Sequence, residues 1–186
     1  MKNNLKKLIL LVLLITSTYA IGQNMIYKVF EEGMSKEEVD KAYSENKSEL
    51  ENISFSDGIA WDIALERFKY DAENKLKVVG LIPTGMGNGF NYIKTVSHLK
   101  ASSVFLMELG YTVSHENKWW NRPQFFVDKN YSYGLVLKGP NNLNYIDLYT
   151  YRKKGSYIPV LYIFPKNYLE THFENNENTT MQQSGF

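Results

Sequence analysis

Hydrophobic residues recur along this chain with two periods, 3.6 and 2, and the switches between them mark its elements. The first helical stretch opens at Ser35, with Glu38 three residues on as a capping box, and Met34 and Val39 occupy the positions of a hydrophobic staple. It is predicted to run from Ser35 to about Ser48. Its apolar side (Val39, Ala42, Tyr43, Leu50) is thin, and Lys36, Glu37, Asp40, Lys41 and Glu45 form a solvated side. From Trp61 the rhythm turns to two: Trp61, Ile63 and Leu65 face one way, Asp62, Ala64 and Glu66 the other, and the strand extends to Tyr70. Phe68 and Tyr70 break the parity set by Leu65, which places a bulge or strong twist near Arg67. The turn Asp71-Ala72-Glu73-Asn74-Lys75 then returns the chain along Leu76 to Ile82 as a hairpin.

A second, more deeply buried helix is predicted from Tyr92 to Leu109. Tyr92, Val96, Leu99, Ser103 and Leu106 form its stripe, widened by Phe105 and Leu109, and Gly110 stops it. The remainder reads as strands over 111–116, 124–127, 131–138, 145–152 and 157–164, with a turn at Gly139-Pro140-Asn141-Asn142. The pattern predicts an α+β fold, an antiparallel sheet with two helices on one face. Its order is that of a helix-plus-β-meander unit used twice.

Ahead of these elements stands an apolar run, Leu8 to Ile15, behind Lys2, Lys6 and Lys7 and followed by Thr18-Tyr19-Ala20. A spanning helix needs about 20 apolar residues, so the run is too short to cross a membrane and reads as a cleaved secretory signal over residues 1–20. The organisation that follows is a single α+β domain over 21–172 and a disordered tail over 173–186, rich in Asn, Glu, Thr and Gln. The expected location is periplasmic or secreted, with no transmembrane segment once the signal is removed. The chain has no cysteine, which excludes disulfides, a lipid on an N-terminal cysteine, and thiolate zinc sites. His98, His115 and His172 share no ligand spacing, so no metal and no cofactor are expected. Without the leader's three lysines, 18 basic residues face 20 acidic ones, a net charge of −2, which argues against nucleic acid as a partner.

Three constellations carry candidate function. The stretch Gly33-Met34-Ser35-Lys36-Glu37-Glu38-Val39, with a hairpin whose second strand is Lys75-Leu76-Lys77-Val78-Val79, resembles over about residues 33–82 the SmpA/BamE family of small outer-membrane assembly proteins. The resemblance implies a non-enzymatic binding or scaffold role in a cell envelope and carries over no catalytic residues. The family's lipid-bearing Cys is absent here, and so is the Gly-x-Pro that usually follows its first helix.

The second constellation is the loop Gly85-Met86-Gly87-Asn88-Gly89 between a strand and a helix, an arrangement in which backbone N–H groups can hold a phosphate. Gly80 to Phe90 is similar to the Ile-Pro-x-Gly-x-Gly-Asn-Asp-Phe loop of diacylglycerol kinase-type lipid kinases, with Gly89 where that family has Asp. Gly85, Gly87, Asn88 and Gly89 are therefore the candidate residues of an alternative phosphate- or nucleotide-binding enzyme. The spacing satisfies neither the dinucleotide nor the P-loop fingerprint.

The third is aromatic. Tyr, Phe and Trp make up 15% of the chain, with 14 Tyr among them. Trp119, Trp120 and Arg122 precede a strand on which Tyr145, Asp147, Tyr149 and Tyr151 share one face, expected to be the exposed one. Such a surface can receive a protein partner or stack a sugar ring, so these seven residues are the candidate binding site. Asp62 and Glu66 read as solvated charges, and no nucleophile elbow is present. The sequence thus points to an exported, non-enzymatic binding or scaffold protein of the envelope or extracellular space, contacting a protein partner; a glycan-binding module and the phosphate-loop enzyme are the alternatives.

Overall fold

In the computed structural model, residues 25–56, 59–117, 119–122, 133–142 and 144–171 are described. A two-stranded hairpin, β1 (Met25–Tyr27) and β2 (Phe30–Glu31), leads into helices α1 (Lys36–Glu45) and α2 (Lys47–Leu50). Strands β3 (Ile53–Ser56), β4 (Ile59–Ile63), β5 (Lys69–Tyr70) and β6 (Leu76–Pro83) follow. Helix α3 (Tyr92–Glu108) then precedes β7 (Thr112–Glu116), β8 (Leu135–Lys138), β9 (Asn144–Lys153) and β10 (Ser156–Pro165), and a last helical turn, α4, covers 166–171. The fold is α+β, as the periodicities predict.

One antiparallel eight-stranded sheet runs β3-β4-β6-β10-β9-β8-β7, with β5 also on β6. Each half is a helix followed by a meander, and the meanders join through their last strands, β6 and β10. That seam is apolar on both sides because the sheet is covered on both sides. Leu81, Leu148, Leu161, Ile146 and Ile163 pack on one face with Val39 of α1 and with Leu99 and Leu106 of α3. Val78, Val136, Val160, Tyr162 and Phe164 point the other way, into a second cluster that includes Leu169 of α4.

Local signals hold where they are local. Ser35 and Glu38 form both hydrogen bonds of the capping box. The expected irregularity near Arg67 is a 3-10 turn, Leu65–Arg67, between β4 and β5. Gly110 ends α3 with φ near 89°. Other boundaries shift. The first helix breaks at Asn46 instead of running to Ser48, and β1, β2 and β3 have no counterpart in the periodicity, being too short to alternate. The strand expected over 124–127, residues 131 and 132, and the tail beyond His172 lie outside the described residues.

The stripe of α3 is rotated from the expected one. Thr95, Leu99, Ser102, Ser103 and Leu106 are buried, whereas Tyr92 and Leu109 are exposed. The physical reason is Trp61 on β4, a fully buried ring whose indole N–H donates to Ser102 Oγ at 3.1 Å. The helix presents Ser102 to that ring and turns larger apolar residues outward.

Candidate functional site

The alternation along β9 is real, but the face it defines is not the open one. Tyr145 and Asp147 are buried, and Tyr149 and Tyr151 are half-buried. The reason lies in strand pairing. Asp147 sits opposite Tyr162 of β10 and Val136 of β8, and Tyr145 opposite Phe164, with which it stacks at 6.2 Å. The tyrosine face of β9 therefore belongs to the second buried cluster, which corrects the expectation of an exposed surface.

What the structure assembles there is a charged group among rings. The Asp147 carboxylate accepts from the Gly134 N–H at 2.9 Å. Burial pushes its pKa up to about 7, opposed by that N–H and by the positive charge of Lys69. Lys69 on β5 holds its ammonium 4.3 Å from the centroid of the Tyr162 ring, and burial lowers its pKa against the pull of Asp147. The Tyr162 and Tyr151 hydroxyls hydrogen-bond each other, and the Arg67 guanidinium lies 5.1 Å from the Tyr151 ring. Arg67 Nε is buried with no hydrogen-bond partner among the described residues. Burial also raises Tyr149 and Tyr168 to about 12.

Beside this cluster opens a cavity of about 530 Å³, whose lining includes Lys69, Tyr70, Asn167 and Tyr168. Glu32, Asp71 and Lys77 also line it, but they satisfy one another. Lys77 Nζ lies 2.9 Å from Glu32 and 3.6 Å from Asp71, and Asn167 donates to Glu32 at 3.0 Å. Lys69, Arg67, Tyr162 and Tyr168 are absent from the sequence-derived site. Only the pairing of β6 with β10 brings β5 beneath the tyrosines, and no local pattern encodes that pairing.

The tryptophans are not part of this cluster. Trp120 is buried in the helix-side core, its indole N–H donating to Glu116 at 3.0 Å. Trp119 is half-buried beneath the Arg122 guanidinium at 4.9 Å. Trp120 and Tyr145, both among the seven candidate binding residues, are thus in the two separate buried clusters.

The glycine loop is bonded to itself and to β10. Gly89 N–H donates to the Met86 carbonyl and Met86 N–H to that of Pro83, while Phe90 and Tyr157 exchange both backbone bonds. A Cβ on Gly89, whose φ is 113°, would sit 2.8 Å from the Ser156 Cβ, so close packing against β10 accounts for this glycine. Gly85 and Gly87 also have positive φ, as turns between strand and helix require. At the start of α3 the Asn91 side chain accepts from Lys94 N–H at 2.9 Å, filling the place a phosphate oxygen would take. Asn88 is exposed.

A different surface stands open. On the outer side of α3, Ile93, Val104 and Met107 are 76%, 55% and 41% exposed, and Leu109 just beyond it is 55% exposed. Val113 of the edge strand β7, on the helix side of the sheet by its pairing with Leu137, is half exposed. Among the described residues no helix is long and apolar enough to cross a membrane, and no group of metal-ligating side chains is gathered. No protein-family model, curated protein or solved structure matches this chain.

Proposed function

We propose that this chain is an exported binding protein of a cell envelope or extracellular space, acting by contact with a protein partner rather than by catalysis. The observation that carries the reading is the set of large apolar side chains left exposed on α3, at its end and on the edge strand β7: Ile93, Val104, Met107, Leu109 and Val113. A helix lying on a sheet ordinarily turns polar residues to water, and a cluster of large apolar side chains on its outer side is the mark of an interaction surface. The leader over residues 1–20 supplies the address, and the Gly33–Val39 likeness to the SmpA/BamE family points to the same kind of role. The contact surface proposed here replaces the tyrosine face of β9, on which Tyr145 and Asp147 are buried and Tyr149 and Tyr151 half-buried.

Site-specific photo-crosslinking in cells expressing the full chain with its leader tests this. A crosslinker at Val104 or Met107 is expected to give a discrete protein adduct that a crosslinker at Glu73, in the β5–β6 turn, does not give. No adduct from either helix position, or the same pattern from Glu73, overturns the reading.

A further inference from the structure

We propose that the cavity bounded by Lys69, Tyr70, Asn167 and Tyr168 is a binding site for a small ligand carrying an oxyanion, a carboxylate or a phosphate, with the Lys69 ammonium as its counter-ion. This inference is independent of the partner surface on α3. The cavity's volume, about 530 Å³, lies in the range of ligand sites, and its lining sets the rings of Tyr70 and Tyr168 among charged and polar side chains.

The charge balance selects the ligand class. Of the two cations lining the cavity, Lys77 is held by two carboxylates, at 2.9 Å from Glu32 and 3.6 Å from Asp71. Those acids are themselves occupied: Glu32 also accepts from Asn167, and Asp71 accepts from the Glu73 and Lys75 amides. Lys69, by contrast, has no carboxylate oxygen within ion-pair distance among the described residues. The nearby acid, Asp147, influences it through space without touching it.

The ammonium is fixed by the Tyr162 ring at 4.3 Å rather than left to wander in solvent. A half-buried cation held over a ring has given up hydration without gaining a counter-ion, and a bound oxyanion would restore that loss. Arg67, stacked on Tyr151 of the hydroxyl-linked tyrosine pair, adds a second positive charge on the same side of the sheet. A carboxylate-bearing sugar and a phosphate monoester share the chemistry that Lys69 recognises, and the experiment separates them.

The test titrates the mature protein with glucuronate, with glycerol phosphate and with inorganic phosphate at matched ionic strength, sodium chloride serving as the control. Binding is read by calorimetry and by the Lys69 side-chain NMR resonances. Saturable binding of at least one oxyanion with a shift of the Lys69 signals is expected, weakened roughly tenfold or more in Lys69→Gln and retained in Lys69→Arg, as befits a charge-assisted hydrogen bond. A response to glucuronate alone assigns a carboxylate ligand, and a response to glycerol phosphate or inorganic phosphate assigns a phosphate. No saturable response beyond chloride, or saturable binding that leaves Lys69 unmoved and survives Lys69→Gln, overturns the proposal. The wild-type NMR readout decides the matter even if a variant folds poorly.

Discussion

The carboxylate of Asp147 accepts the backbone N–H of Gly134 at 2.9 Å within the second buried cluster. It is the only polar contact of that carboxylate shorter than ion-pair distance among the described residues, and it does not offset the loss of water. The folded protein therefore holds a proton on Asp147 up to about pH 7, whereas the unfolded chain releases it near 3.8. Across that interval the native state binds more protons than the unfolded one, so this group lowers stability as pH rises from about 4 to about 7, with no further change above.

Asp147→Asn removes that slope. Denaturation of both proteins is expected to show the variant more stable at about pH 8, by up to ~4 kcal/mol, with the gap closing toward about pH 4. The lowered carboxyl groups of Asp71 and Glu38 act in the opposite direction but are common to both proteins and cancel in the difference. Parallel stability curves would mean that Asp147 is not a protonated buried acid.

Gly134 tests the same contact from the other side. A Cβ there would fall 2.0 Å from the Leu148 carbonyl oxygen, so Gly134→Ala must push β8 away from β9. The expected cost is about 1–3 kcal/mol from overpacking. Because the displaced N–H favours the ionised carboxylate, the deficit should be larger above neutral pH than near pH 5, which urea titrations at the two pH values would show.

How much of this was legible in the sequence follows from range. The Ser35–Glu38 box, the break near Arg67, the 71–75 turn and the Gly110 stop are written in neighbours a few residues apart, and each is where the pattern places it. Alternation on β9 also groups Tyr145, Asp147, Tyr149 and Tyr151 correctly on one face. It cannot say which face is covered, and here both are. The meeting of Lys69 with Tyr162, and through it with Asp147, depends on β6 pairing with β10 across the middle of the sheet, a choice made by the whole set of apolar strands rather than by any short motif. The same limit explains α3. Its period was readable, but its rotation was set by Trp61, a partner on another element.

The glycine loop yields a prediction about what does not move. Since Asn91 caps α3 and the loop amides of Met86 and Gly89 are bonded internally, added nucleotide or inorganic phosphate should leave the amide resonances of Met86, Gly89 and Lys94 in place. Asn91→Ala should instead act on stability alone, by about 1 kcal/mol, as loss of a helix cap does. A saturable shift of those three amides would restore the phosphate-loop reading.

Two adjacent residues of α3 separate packing from contact. Leu106 is buried against the sheet, whereas Met107 is 41% exposed on the outer side. Leu106→Ala leaves a cavity in the core and is expected to cost about 2–5 kcal/mol of unfolding free energy. Met107→Ala should stay within about 0.5 kcal/mol of the wild type, because the side chain is exposed rather than in the core. Thermal or urea denaturation of the pair measures this contrast. In the cross-linking experiment, with the probe at Val104, the pattern should invert: Met107→Ala reduces the adduct, whereas Leu106→Ala retains it under conditions where that variant is folded. A stability loss at Met107 matching that at Leu106 would show that the outer strip is packed against something in the protein itself, and the surface assigned to a partner would not be free.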